Sequence, residues 1–183
     1  WDDGTPITAK AVEFTLKVIQ NPKVDNDVNK PYYEFIEDFI FYEDDPLKFT
    51  LKCKDVYLLA EVKSGDISLM PQSVYDPKNL MAEFTIKQLN DNALELVHNE
   101  KINEFAQSFN SEKHQRDKDF IHGCGPYYVE KWQTGHKIVL RKKENWWGDN
   151  LKGMYFNIHP TQIVYKTIND HNAAKEALIN GEI

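Results

Sequence analysis

Cysteine is scarce: Cys53 and Cys124 are the 2 in a chain of 183 residues. That is too few for a disulfide-framed domain. The two lie far apart without Cys-x-x-Cys spacing and read as small apolar side chains, with a bridge in an oxidising compartment as the lesser alternative. No hydrophobic run is long enough to span a membrane and no signal peptide is visible, which says nothing about a parent protein. Positive charge is also short. The net charge is −7, and no basic cluster exceeds Arg141-Lys142-Lys143, which excludes a nucleic-acid backbone as partner.

Catalytic and metal signatures are missing as well. None of the histidines at 98, 114, 122, 136, 159 and 171 forms a His-x-x-x-His pair, and His122 with Cys124 is a chance neighbour rather than a ligand set. There is no Gly-x-Ser-x-Gly elbow, no phosphate-cradling glycine loop and no Cys/His nucleophile pattern. The carboxylates of Asp2-Asp3, Glu43 and Asp44-Asp45 fall in expected turns, where Asp is favoured for its backbone hydrogen bonds. No catalytic residue, metal or cofactor is assigned. Internal repeats and low-complexity tracts are absent too.

What the chain does have is aromatic residues, at 13%. Tyr32-Tyr33, Tyr127-Tyr128 and Trp146-Trp147 occur as adjacent pairs, so in extended backbone one member of each points away from the core. Residues 123–148 concentrate the local signals. Gly123, Gly125 and Pro126 predict a tight turn. Tyr127 to Trp132 and Lys137 to Lys142 then flank Gln133-Thr134-Gly135-His136 as a β-hairpin.

Elsewhere the spacing predicts a helix from Thr8, as N-cap, to Gln20, with Val12, Leu16 and Ile19 as its buried stripe. A turn or short helix is expected over 32–37, and a hairpin over 38–54 whose second strand alternates Leu47, Phe49, Leu51 and Cys53 with polar residues. Helices are expected over 56–62, over 78–89 through Leu80, Met81, Phe84 and Leu89, and over 100–109 through Ile102, Phe105, Ala106 and Phe109. Residues 110–119 read as a charged loop. A last strand over 162–168 leads to a helix capped by Asn169 or Asp170 and stopped by Asn180-Gly181.

Three ordered stretches resemble one family. Gly123-Cys124-Gly125-Pro126-Tyr127 with the hairpin and Asn145-Trp146-Trp147-Gly148, Trp1-Asp2-Asp3-Gly4-Thr5-Pro6-Ile7-Thr8-Ala9, and Ala177-Leu178-Ile179-Asn180-Gly181-Glu182-Ile183 are similar to motifs of the extracellular solute-binding proteins, family 5, of ABC transporters. Cys124 stands where the family carries Thr or Ser, Ala11 where it usually has an acidic residue, and Gln72 where it has Lys. Because Trp1 falls inside one motif and Ile183 stops one residue short of completing another, the chain reads as an excised piece, about a third of such a parent.

The resemblance implies an α/β fold class, an α+β subdomain plus the start of an α/β lobe, within a two-lobed type II periplasmic-binding fold. Residues 1–122 would be the extra subdomain of the first lobe and 123–183 its hairpin and strand-helix start, with the second lobe absent. The implied function is capture of a small solute, foremost a peptide, and delivery to an ABC permease by a monomeric protein that is periplasmic or extracellular, with a lipid anchor left open. A nickel, metallophore or other non-peptide binder is the alternative, followed by an acidic, aromatic-rich hydrolase. By position, Tyr32, Tyr33, Ser64 and Asp66 are the residues expected at the ligand cleft.

Overall fold

The computed structural model describes residue 1 and residues 3–183, and these divide into two compact units. Unit 1 comprises Trp1–Gln115 with His122–Cys124; unit 2 comprises Arg116–Ile121 with Gly125–Ile183. Among the described residues no helix is long and apolar enough to cross a membrane.

Unit 1 is built on α1 (Ala9–Gln20). The expected stripe is buried: Val12, Leu16 and Ile19 pack with Tyr33, Ile36 and Ile86. The sequence reading missed the opposite side, where Phe14 and Val18 join Met81, Phe84, Leu89, Ile102, Phe105 and Ala106 in a second cluster. The helix is therefore enclosed on two faces rather than lying on a surface. Each such apolar side chain contributes roughly 1.5–3 kcal/mol by leaving water. Phe14 meets Phe105 edge to face, with centroids 6.3 Å apart.

Thr8 occupies the N-cap position, but its side chain makes no cap bond. Backbone carbonyls serve the first-turn amides instead: Ala9 N–H donates to the Pro46 carbonyl at 2.9 Å and Ala11 N–H to the Thr8 carbonyl at 3.0 Å. Asp2, part of the turn expected at the start of the chain, lies outside the described residues; Gly4 N–H donates to the Trp1 carbonyl at 3.0 Å.

The hairpin is present as β1 (Ile36–Phe41) and β2 (Phe49–Cys53), antiparallel with Phe39 opposite Leu51 and Phe41 opposite Phe49. Its core face is shorter than the alternation implied. Phe49 and Leu51 pack, whereas Leu47 is 66% exposed and Cys53 lies at the surface as a free thiol not bridged to Cys124. A two-stranded ribbon can cover only the middle of its own length. The helix expected over 56–62 is displaced to α2 (Ala60–Gly65), leaving Val56 and Leu58 exposed. Next come α3 (Gln72–Tyr75), α4 (Ile86–Asp91), α5 (Ala93–Leu96) and α6 (Glu100–Phe109).

The helix expected over 78–89 is corrected by local hydrogen bonding. Met81, Phe84 and Leu89 are buried as anticipated. However, the Asp76 carboxylate accepts the Leu80 and Met81 amides, each at 2.8 Å, and Asn79 adopts a left-handed φ of 55°. Side-chain acceptors that capture backbone amides compete with helix. The helix begins only after Thr85, which forms a capping box with Gln88. By contrast α6 has the expected bounds, with Ile102, Phe105 and Ala106 inward and Asn99 accepting its first amides. The charged loop expected over 110–119 contains α7 (Glu112–Arg116) and a 3₁₀ turn at Lys118–Phe120.

Unit 2 holds β3 (Tyr127–Gln133), β4 (Lys137–Lys142) and β5 (Gln162–Lys166) in an antiparallel sheet of order β3-β4-β5. A bulge between Val129 and Lys131 interrupts β3. Each expected aromatic pair divides: Trp146 is 7% exposed against 55% for Trp147, and Tyr33 8% against 45% for Tyr32. The last helix, α8 (His171–Ile179), is capped by Asp170, whose Oδ1 accepts from Ala173 N–H at 2.8 Å. It ends with Glu182 N–H on the Ala177 carbonyl and Gly181 N–H on Leu178, with Gly181 at a φ of 71°. That is a Schellman motif, and glycine supplies the left-handed residue.

Candidate functional site

The four sequence-predicted site residues all lie in unit 1. Tyr32 ends a single 3₁₀ turn, Lys30–Tyr32, whose second residue is Pro31, with a fixed φ and missing N–H that suit the first turn. Tyr33 follows, and its amide closes that turn on the Lys30 carbonyl at 3.0 Å. Its ring belongs to the cluster with Val12, Leu16 and Ile36, and its hydroxyl donates to the Asp66 carbonyl at 2.6 Å. The Tyr33 carbonyl in turn accepts from Gln20 Nε2 at 3.0 Å. Burial, then the nearby Asp66 charge, pushes the Tyr33 hydroxyl pKa up.

Tyr33 thereby ties the end of α2 to the helix core. Asp66 is the C-cap of α2, and Lys63 one turn back reaches its Oδ2 at 3.4 Å. The Lys63 ammonium also lies 4.7 Å from the centre of the Tyr32 ring. A cation placed between a carboxylate and an aromatic face is held from two sides.

These groups border a groove of about 520 Å³. Tyr32, Tyr33 and Asp66 line it, together with Lys63, Asn26 and Asn29. Ser64 does not: it sits half-buried within α2, outside the lining. Sequence reasoning missed Lys63 and the two asparagines. The Lys63/Asp66 i, i+3 spacing was the available signal for the first, while Asn26 and Asn29 belong to a polar loop with no periodicity. Val18, Ile19 and Met70 add an apolar wall. The groove therefore offers amide donors and acceptors, a paired cation and anion, and an aromatic face. That chemistry suits holding a polar molecule with apolar parts. Among the described residues no group of three His, Cys, Asp or Glu side chains gathers as a metal site.

Solved structures share this fold. An oligopeptide-binding protein from Thermus thermophilus complexed with a pentapeptide matches with a TM-score of 0.61 at 21% identity, over 100% of this chain and 29% of that one. NikZ from Campylobacter jejuni in complex with Ni(L-His) gives 0.63 at 19%, over 100% and 28%. A mannohexaose-bound periplasmic oligopeptide-binding protein from Thermotoga maritima gives 0.60 at 20%, over 100% and 27%. The chain thus spans less than a third of the length of these relatives, and its mixed helix-and-sheet architecture is that of part of a type II periplasmic binding protein. No curated protein matches by sequence. The profile of the family 5 middle region matches residues 1–183 throughout, and the chain therefore belongs to the bacterial extracellular solute-binding proteins, family 5.

Proposed function

We propose that the chain is the middle portion of a solute-binding protein of an ABC importer, which captures peptides between two lobes and delivers them to a membrane permease. The family match over the whole chain carries the import reading. In this reading residues 1–122 are the extra subdomain of the first lobe, and 123–183 begin its α/β sheet. The protein works as a monomer in the periplasm or at the outer cell surface.

The peptide reading is supported by the groove. Lys63 and Asp66 offer complementary charge to a backbone that carries both donors and acceptors, and Tyr32 offers an aromatic surface. Tyr32, Tyr33 and Asp66 are proposed to border the ligand, with Ser64 supporting the α2 turn behind them. A chelated metal is the second reading, favoured by the likeness to NikZ, which was solved with Ni(L-His).

The test is native purification of the full-length parent, followed by denaturation and mass spectrometry of whatever is released. Mixed short peptides are the expected result. A metal chelate or a sugar overturns the peptide assignment and leaves the family membership intact. The isolated chain is a poor reagent for this question, because a lobe that cannot close on its partner forfeits most of the contact energy.

A further inference from the structure

At the open end of the unit 2 sheet, three residues stand in one row across the strands. Gln133 of β3 is the ladder partner of Lys137 of β4, and Lys137 that of Lys166 of β5. Directly opposed residues point to the same side of a sheet, so the two ammonium groups share a face, an arrangement that costs stability when nothing lies between them. The rest of the sheet avoids this. Two positions beyond Val139 on the same face, Arg141 makes a bidentate ion pair with Glu130, at 2.6 and 3.1 Å, and Gln162 reaches the same carboxylate.

The corner opens into a groove of about 390 Å³ lined by Gln133, His136, Lys137, Lys166, Thr167 and Ile168, with no carboxylate among them. The local backbone is already paired: His136 N–H closes the hairpin on the Gln133 carbonyl at 2.9 Å, and Thr167 N–H donates to the His136 carbonyl at 2.8 Å. Lys166 Nζ donates to the Glu182 carbonyl. Among the described residues, the side chains of Gln133, His136, Lys137 and Thr167 make no hydrogen bond or ion pair within the chain. In a protein of net charge −7, this corner combines two opposed cations, an imidazole, a hydroxyl and an amide donor, and of these only Lys166 has an acceptor within the chain, the Glu182 carbonyl.

We propose that this corner is an oxyanion site that takes a phosphoryl group between Lys137 and Lys166. A tetrahedral, doubly charged anion neutralises both ammonium groups at once and presents several acceptor oxygens, matching a set of donors splayed around one point. The Thr167 hydroxyl and the Gln133 amide supply the neutral donors. The phosphoryl group comes either from free inorganic phosphate or from an anionic lipid headgroup. The site lies in unit 2, whereas the groove described above lies in unit 1, so the two readings stand or fall separately.

The test uses the full chain labelled with nitrogen-15 and titrated with inorganic phosphate against chloride at matched ionic strength. The expected result is a saturable phosphate shift at the amides of Gly135, His136 and Thr167. It should be accompanied by a rise in melting temperature that Lys137→Gln/Lys166→Gln does not show. Each lysine removed should weaken the apparent affinity about tenfold, the scale of one charge-assisted hydrogen bond. Lys166 is exposed and Lys137 half-buried, and an unchanged amide spectrum elsewhere confirms the fold.

A second arm sediments the chain with phosphatidylcholine vesicles, with and without phosphatidylglycerol. Retention that needs the anionic lipid and both lysines, without saturable phosphate shifts, assigns the phosphoryl group to a headgroup. Shifts that chloride reproduces, or that persist in the double variant, together with no lysine-dependent vesicle binding, overturn the proposal.

Discussion

The Tyr33 hydroxyl donates to the Asp66 carbonyl at 2.6 Å, a bond across 33 positions that holds the α2 C-terminus against the α1 core. Tyr33→Phe keeps the buried ring and removes only this donor. It should lower stability by about 1 kcal/mol, the usual net value of one hydrogen bond. Tyr33→Ala, which also empties part of the core, should cost about 3–5 kcal/mol. Urea unfolding of both variants measures the difference, and a Tyr33→Phe variant as stable as the unsubstituted chain would mean that the hydroxyl contributes nothing.

The same tyrosine makes unit 1 sensitive to alkali. Burial raises its folded pKa above the ordinary value of 10.0, so the folded state holds its proton more firmly than the unfolded chain. Stability from this group is complete below the unfolded pKa and is lost as pH rises from about 10 through the folded value. Tyr75, also raised by burial, acts in the same direction. The fall in unfolding free energy above pH ~10 should therefore shrink, without vanishing, in Tyr33→Phe.

Asp76 is 2% exposed and accepts two successive amides. Asp76→Ala leaves the Leu80 and Met81 N–H groups without that acceptor and should destabilise by about 3 kcal/mol, since charge-assisted bonds are the stronger kind. Asp76→Asn, which keeps one acceptor oxygen, should lose less. Chemical denaturation orders the three proteins.

A side chain at residue 148 has no room, because a Cβ built on Gly148 overlaps the Trp146 ring. Gly148→Ala should force the indole out of its contact with Phe156, at 6.0 Å between centroids, and cost about 1–3 kcal/mol. A red shift in tryptophan emission reports the displacement. Unchanged emission would show that the ring can turn aside at little cost.

Lys63 is held by Tyr32 and by Asp66 at the groove. Such exposed interactions contribute at most about 1 kcal/mol each to folding. Lys63→Met and Tyr32→Ala should therefore barely move the unfolding midpoint of the chain. In the full-length parent each should weaken ligand affinity by about tenfold, the effect of losing one anchoring contact near 1.4 kcal/mol. Isothermal titration with the released ligand measures it, and unchanged affinity in both removes this groove from the ligand path.

Local pattern made much of the fold legible. The bounds of α6 follow from i, i+3, i+4 spacing with an Asn cap, and β4 from alternation beside a Gly turn. The Schellman end of α8 is written in Asn180-Gly181. Two of the errors share a cause: a competing acceptor supplied the hydrogen bonds. Backbone carbonyls of Pro46 and Thr8 took the first amides of α1 in place of the Thr8 hydroxyl, and the Asp76 carboxylate withheld Leu80 and Met81 from a helix that their spacing suggested. At the candidate site, position alone marked Tyr32, Tyr33 and Asp66, but it also included Ser64, which α2 keeps out of the groove lining.

Taken alone, the sequence determined the family through its ordered motifs, and the hairpin over 127–142, the bounds of α6 and the two ends of α8 through turn chemistry and side-chain period, which act between residues a few positions apart. Tertiary structure decided that α1 is enclosed on both faces and that Tyr33 braces Asp66. It also decided that Lys137 stands opposite Lys166. Each of these depends on which segments meet across dozens of positions, and no local preference encodes that.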